Sequence, residues 1–570
     1  MSDDKRDNWT KSYLNYRIGK MYEYGLGVTQ DYSSAIEHYK LSENKYAYFA
    51  LGNIYKYGSG VETDYAKAFD YYMRSLSSKG GMPFASYAVG QAYELGQGVE
   101  KDLSCAHNFY AEALKGLEKV FTKNHDDNIS YKIGMMYLNG KGTDIDLECA
   151  EKYLLLSADS NNYKAQYMLG KLYQSDNKID LQKAEKVLLK GAENAQDKAG
   201  LCEYSLGKLY LSQERYDKAA SYLERSAAKD NYYAAYTLGK LYQEQFNDNT
   251  QAEKYLIQAA DHKDDTMGIA AYRLGKLYLA QEKFTDAAAY LQRSAAKDNY
   301  FAAYALGKLY QEQFNDNTQA EKYLIQAANH KDDTMGIAAY RLGKLYLSEN
   351  NRRKALQYFT NAADKDSIPG MYAAGKILLD SKKTTEVSKG IRYLSSAADK
   401  DFEPAIYTLG KYYSSFNNTK AKEYLKRSAF EYNNPNAQYI LGKVYLSENK
   451  HKMAEDCFRR CALNGNDSGQ LAYGLMLLRD GQNKAAFQWL RKSARSGNDI
   501  AKKIISGKKA DIPFEFRLAG CMQAQRTLLH KSSNMLRKAL KSEEAKTARL
   551  MREFEIEQEM AKAKEKSRSV

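Results

Sequence analysis

Apolar residues recur along this chain with the period of an α-helix, in short stretches parted by polar turns. In AAYTLGKLYQEQ (residues 234–245), Ala235, Leu238, Leu241 and Tyr242 fall on one stripe. In TQAEKYLIQAA (residues 250–260), Ala252, Tyr255, Leu256 and Ala259 do the same, with Thr250 placed to cap the helix. The two stretches predict a hairpin of helices A and B.

The hairpin returns along the chain. The glycine of the LGKLY-type stretch stands at positions 19, 52, 90, 134, 170, 207, 239, 275, 307, 343, 375, 410, 442 and 474. The spacings run from 32 to 44 residues, the length of two helices and two turns. Residues 207–274 and 275–342 are near copies that differ at ten of 68 positions. A glycine inside a helix costs about 1 kcal/mol relative to alanine. Its return fourteen times predicts that a neighbouring helix approaches closely there, with small residues of helix B receiving the flank of helix A. The first four A-to-B turns carry a glycine pair and then Asp (YGLGVTQDY, YGSGVETDY, LGQGVEKDL, NGKGTDIDL), and later turns lose it. The connection from Lys119 to Ser130 is expected to be the longest and an exposed loop.

This pattern predicts an all-α fold: a right-handed α/α superhelical solenoid of about fourteen hairpins with a C-terminal helical cap. The expected divisions are a polar tail at 1–11, the solenoid at 12–505, a basic amphipathic capping helix at 506–540 and a charged helical or disordered tail at 541–570. Phe514, Leu518, Met522, Leu529 and Leu536 would cover the open end of the stack.

Composition supports the array. Five prolines in 570 residues suit an all-helical chain, and the repeats account for 51 tyrosines. No signal-peptide core or membrane-length apolar run is present, and six scattered cysteines without a CxxC read as reduced, so a cytoplasmic location is expected. Charge is uneven: of the net +14, +11 lies in residues 479–570, where 22 Lys and Arg face 11 Asp and Glu. That end could attract a polyanion.

The pattern A-x-x-LG-x-x-Y-x-x-G-x-GV-x-x-D, seen best over residues 13–76, resembles the Sel-one-like repeat, and with loop losses the likeness runs to about residue 505. The resemblance implies an α/α solenoid acting as an adaptor in protein assemblies. More narrowly, YRIGKMYEYGLGVTQDY (16–32), residues 49–75 and 125–144, and MQAQRTLLHKSSNMLRKAL (522–540) are similar to the C-terminal repeat region of relaxases from conjugative elements of Gram-positive bacteria. Those enzymes nick DNA in a domain with a His-x-His metal site that precedes the repeats. Here His38, His107, His125, His262, His330, His451 and His530 are all isolated, so the resemblance implies scaffold and tail without the nicking activity.

No HExxH, GxxxxGK[ST] or GxSxG constellation is present, and no catalytic, cofactor or metal residue is assigned. Cys457 and Cys461 lie one turn apart and read either as packing residues or as half a metal site. Asp126-Asp127 and Asp264-Asp265 read as solvated loops or as cation ligands, and the glycine-pair loops as turns or phosphate cradles.

Two candidate surfaces stand out. After the recurring glycine comes a lysine in ten hairpins: Lys20, Lys171, Lys208, Lys240, Lys276, Lys308, Lys344, Lys376, Lys411 and Lys443. These form a basic row for an acidic partner or phosphate backbone, or else spread along packed helix and pair locally. The second is a polyanion surface of Lys484, Arg491, Lys492, Arg495, Lys502, Lys503, Lys508, Lys509, Arg517, Arg526, Lys531, Arg537 and Lys538. Trp489 and Phe487 are read as packing residues of helix B there. The expected function is a non-enzymatic scaffold assisting DNA mobilisation by a conjugative element, through a relaxase, a coupling protein or DNA itself. The alternative is a regulatory or virulence-associated adaptor with no DNA role. No small-molecule substrate is expected.

Overall fold

The computed structural model describes residues 3–78, 82–176, 179–506, 510–513 and 516. All described regular structure is helical. The chain divides into two compact bodies, Met1–Asn299 and Tyr300–Val570. Hairpins 1 to 8 fall in the first and hairpins 9 to 14 in the second. The first helix begins at Asp3, so most of the expected polar tail is helical.

Hairpin 7 is representative, with helix A at Tyr232–Glu244 and helix B at Asn249–Asp261. Leu238 and Leu256 are completely buried, as are Ala252 and Ala259. Burial of each leucine contributes about 1.5–3 kcal/mol. The recurring glycine sets the A–B distance: a Cβ on Gly239 would lie 2.7 Å from Leu256 Cγ. At all fourteen positions, a residue of the hairpin's own helix B fills this space. It is Tyr39, Tyr72 and Tyr110 in hairpins 1 to 3, Phe359 and Phe458 in hairpins 10 and 13, and leucine in the other nine. The close approach is as the pattern predicts, and small residues of helix B do border it, as at Ala106, Ala150, Ala219, Ala252 and Ala486, but they share the place with one large side chain. The missing Cβ is used to seat a large side chain, which recovers more apolar contact than alanine would.

Two polar devices join the helices. At the far end of helix B a buried serine donates to the start of its own helix A, as in Ser226 to the Gly200 carbonyl (2.7 Å) and Ser294 to the Gly268 carbonyl (2.6 Å). Between hairpins, a helix A tyrosine donates to a glutamate on the preceding helix B. Examples are Tyr210 to Glu185 (2.6 Å), Tyr242 to Glu224 (2.8 Å) and Tyr278 to Glu253 (2.9 Å). Burial, and then the neighbouring carboxylate, pushes these phenols above their ordinary range. Tyr137, Tyr173 and Tyr346 make the same kind of bond, to Glu118, Glu151 and Glu321.

The glycine-pair loops behave as expected, with both glycines left-handed in each, for example Gly96 (φ 67°) and Gly98 (φ 77°). The second glycine also receives the preceding helix B: Gly60 abuts Tyr32, Gly98 the Tyr65 carbonyl and Gly142 the Tyr110–Ala111 backbone.

Three local expectations are corrected. Residues 119–124 continue the long helix Leu103–Asn124, and only His125 and Asp126 separate it from the next helix at Asp127. Thr250 is not a cap: Asp248 caps that helix, accepting from the Thr250 and Gln251 amides. The acidic pairs are not simply solvated. Asp126 is an N-cap, accepting from the Asn128 and Ile129 amides, and Asp265 is buried.

The capping residues Leu518, Met522, Leu529 and Leu536, and Phe514, lie outside the described residues. Within that segment Ile512 and Phe516 are buried, with Phe516 5.4 Å from Phe458 in ring-centroid distance.

Candidate interaction surface

The lysine row keeps its register, and most of its members have a weak partner on their own helix. Nine of the ten are exposed, and Lys443 is half-buried. Lys240 and Lys308 each lie 3.7 Å from a glutamate one turn on, Glu244 and Glu312. Lys20, Lys171, Lys276, Lys376 and Lys443 each hold their ammonium 5.7–6.0 Å from the ring of a tyrosine one turn away. Such exposed pairs contribute at most about 1 kcal/mol each. Seven of the ten thus have a partner on their own helix, a glutamate for two and a tyrosine ring for five.

At the basic end, Lys484, Lys492, Arg495, Lys502 and Lys503 are exposed and Arg491 is half-buried. Lys492 lies 4.3 Å from the Trp489 ring, and Lys502 pairs with Asp499 at 3.1 Å. Trp489 packs edge-on against Tyr473, a packing role rather than a free stacking platform. Lys508, Lys509, Arg517, Arg526, Lys531, Arg537 and Lys538 lie outside the described residues. Cys457 and Cys461 are buried packing residues, and burial pushes both thiols up to about 12.

Three features escape sequence reasoning. The first is the buried Asp265, which accepts from Tyr232 Oη (3.2 Å), the Ala270 amide (3.0 Å) and Lys297 Nζ (3.4 Å). Lys297 also donates to the Asp265 carbonyl at 2.5 Å. Gly268 occupies the N-cap with φ 63° and has no side chain to cap with, so Asp265 reaches past it to the helix. Asp333 repeats the arrangement with Tyr300, the Ala338 amide and Lys365. The spacing Asp-x-x-Gly before helix A is the signal that could have revealed it. The second is a cleft of about 340 Å³ between the helix B of hairpin 4 and hairpin 5, lined by Glu151, Leu155, Tyr173, Val187 and Lys190 among others. Gln166 borders it, and among the described residues its buried Oε1 has no hydrogen-bond partner. In hairpin 13 the equivalent Gln438 Oε1 accepts from Asn464 at 3.1 Å.

The third is a cationic cluster on one face of the hairpin 3 helix A, Pro83–Leu95. Tyr87, Gln91 and Glu94 share that face. Lys56 of hairpin 2 donates to Gln91 at 2.6 Å, and Lys132 of hairpin 4 sits 3.6 Å from the centre of the Tyr87 ring. Lys141, in the glycine loop of hairpin 4, pairs with Glu94 at 2.8 Å and lies 5.9 Å from the same tyrosine ring. Burial, then Lys56 and Lys141, depress Lys132 to about 8.

Among the described residues, no group of three or more His, Cys, Asp or Glu is arranged to hold a metal, and no helix is long and apolar enough to cross a membrane. The molecule is thus defined by repeated helical hairpins and broad mixed-charge faces.

Nine segments match the Sel1 repeat model: residues 12–44, 45–75, 83–116, 130–162, 164–195, 301–332, 336–367, 368–402 and 469–498. Together they make up just over half of the chain, which belongs to the Sel1 repeat family. Residues 201–231, 236–302 and 435–463 match tetratricopeptide repeat models instead. These are hairpins that have lost the glycine-pair loop. No curated protein matches. Among solved structures, the chain is similar to a protective antigen of uropathogenic Escherichia coli strains displaying an SLR fold (20% identity, TM-score 0.44, covering 90% of this chain and 97% of that one). It is also similar to a Sel1 repeat protein from Oxalobacter formigenes (22%, 0.35, 44% and 98%) and to human IFIT1 (16%, 0.31, 69% and 94%). Sel1 and tetratricopeptide repeats generally mediate protein–protein interaction, and the family is typically non-catalytic.

Proposed function

We propose that this protein is a non-enzymatic scaffold that holds one or more protein partners along its hairpin faces. The observation that carries this reading is the repeated hairpin: nine segments match the Sel1 repeat model, and such repeats generally mediate protein–protein interaction. The finer reading is a bacterial cytoplasmic scaffold that assists DNA mobilisation by a conjugative element, contacting a relaxase, a coupling protein or DNA. It draws support from the sequence resemblance at 16–32, 49–75, 125–144 and 522–540 and from the excess of +11 beyond residue 478. The lysine row and the basic end would supply its anionic contacts. A regulatory or virulence-associated adaptor is the competing reading.

Affinity capture with the full-length chain as bait, followed by partner identification, tests both. A stoichiometric protein partner is expected, and its absence under several salt conditions would remove the scaffold reading. The finer reading further expects double-stranded DNA to be shifted at low salt. Replacing Lys484, Lys492, Arg495, Lys502 and Lys503 with glutamate should abolish that shift. No shift, together with no transfer component among the captured proteins, would leave the adaptor reading.

A further inference from the structure

The register position two residues before the recurring glycine is occupied by a cation in several hairpins, and those cations differ in how they are paired. In hairpin 8 this residue is Arg273, which reaches Glu244 of the preceding helix A at 2.5 Å and Gln243 at 3.1 Å. In hairpin 10 it is Arg341, which reaches Glu312 at 2.5 Å. Both glutamates stand five residues after their own glycine. In hairpin 4 the same position is Lys132, and the residue five after the preceding glycine is Leu95, which is exposed. The nearby Glu94 is already engaged by Lys141 and by Tyr110, whose hydroxyl donates to it at 2.5 Å. Among the described residues, no carboxylate lies within ion-pair distance of Lys132 Nζ.

The surroundings carry the same imbalance. Three ammonium groups, of Lys56, Lys132 and Lys141, meet on the Tyr87–Gln91–Glu94 face against one carboxylate. All three lysines are half-buried, so water compensates their charge only in part. Beside them, the position five after the glycine is apolar and exposed in hairpins 1 to 3: Tyr24 (58%), Tyr57 (69%) and Leu95 (54%). In the duplicated block that position is glutamate in hairpins 7 and 9 (Glu244 and Glu312) and small in hairpins 6 and 8 (Ser212 and Ala280). The N-terminal hairpins thus combine uncompensated positive charge with a flanking apolar stripe over three successive helices A.

We infer that this face binds an acidic peptide segment, whose carboxylate takes the place beside Lys132 that Glu244 takes beside Arg273, with apolar neighbours on Tyr57 and Leu95. The inference rests on the scaffold reading and names the chemistry of one partner. A free phosphate would use the lysines but not the stripe, and a nucleic acid would gain nothing from Leu95.

The test is fluorescence anisotropy on the full-length protein with a labelled peptide of alternating glutamate and leucine, at about 50 mM salt, where exposed charges are weakly screened. Saturable binding is expected, weakened about tenfold by Lys132→Gln and less than about twofold by Lys240→Gln on a compensated helix A. The glutamine form of the peptide should bind about tenfold more weakly, and Leu95→Ser should weaken the parent peptide without affecting competition by pyrophosphate. Lys132→Gln removes a half-buried charge, and its thermal melt and circular dichroism establish that it folds. Binding unaffected by Lys132→Gln, or a parent peptide bound equally well with and without Leu95, would overturn the inference. Repeating the affinity capture with Lys132→Gln separates the two claims: partners retained in full would refute this site and leave the scaffold reading in place. Absence of any partner on the parent chain would refute the scaffold reading.

Discussion

Leu256 occupies the space that a side chain on Gly239 would need: a Cβ there would lie 2.7 Å from Leu256 Cγ and 3.2 Å from the Ala252 carbonyl. Gly239→Ala gains about 1 kcal/mol of helix propensity but overpacks the hairpin by about 1–3 kcal/mol. Net destabilisation of up to about 2 kcal/mol is expected from urea unfolding. Adding Leu256→Ala should make the glycine substitution nearly neutral, although the leucine loss carries its own cost.

Asp265 should behave as a keystone of its connector. Asp265→Ala leaves Tyr232 Oη and the Ala270 amide without their acceptor and Lys297 without its carboxylate. A loss of about 2–4 kcal/mol is expected, softened because Lys297 can still reach water. A double-mutant cycle with Lys297→Met should show coupling, and the Asp333–Lys365 pair should give a cycle of similar size.

Loop glycines separate backbone strain from packing. Gly27 (φ 74°) and Gly98 (φ 77°) are both left-handed, yet a Cβ on Gly27 meets nothing within 4 Å, whereas one on Gly98 falls on the Tyr65 carbonyl. Gly27→Ala should cost about 1 kcal/mol for the strained backbone alone. Gly98→Ala should cost clearly more, with the excess lost from the contact between hairpins 2 and 3 rather than within hairpin 3. Hydrogen exchange resolved by hairpin would register that difference.

Lys132 gives a pH signature. Its folded value of about 8 lies below its ordinary value of 10.5, so between those values the unfolded chain holds more protons. The penalty from this group is full below pH 8 and is relieved as pH rises from 8 to 10.5. Lys132→Met should therefore be more stable than the parent at pH 7, and the gap should close toward pH 10.5. Thermal melts of both proteins across that range provide the check, because the raised tyrosines affect both alike.

The buried thiols should be silent in the native state. With Cys457 and Cys461 pushed up to about 12, almost no thiolate is present at pH 8. Iodoacetamide should leave both unmodified in native protein and alkylate both in urea, as read by peptide mass spectrometry.

Much of this architecture can be read from the sequence because repetition amplifies a weak signal. One glycine in LGKLY proves little, whereas fourteen at the period of a hairpin demand a packing reason. What fills the gap was not legible, because Leu256 and Tyr72 look like ordinary core residues until geometry aims them at Gly239 and Gly52. Asp265 was missed because its burial depends on Lys297, 32 residues further on. Residues 119–124 resembled a loop only by exceeding the usual spacing, though nothing in KVFTKN breaks a helix. Asp248 and Thr250 can both cap a helix, and only the backbone decides for Asp248. Lys132 stands two residues before the recurring glycine, a position that is cationic in only a few hairpins, so repetition does not single it out as it does the lysine after the glycine.

The Asp265–Lys297 and Asp333–Lys365 junctions also bear on how the gene can change length. Each pair spans a connector of identical sequence, and SAAKDN recurs at 226–231 and 294–299. Excising residues 231–298, or inserting another such block, rejoins the same residues in the same register. Unequal crossing-over at this locus would therefore yield alleles of different reach, in steps of 68 residues, whose splice points need no new packing solution.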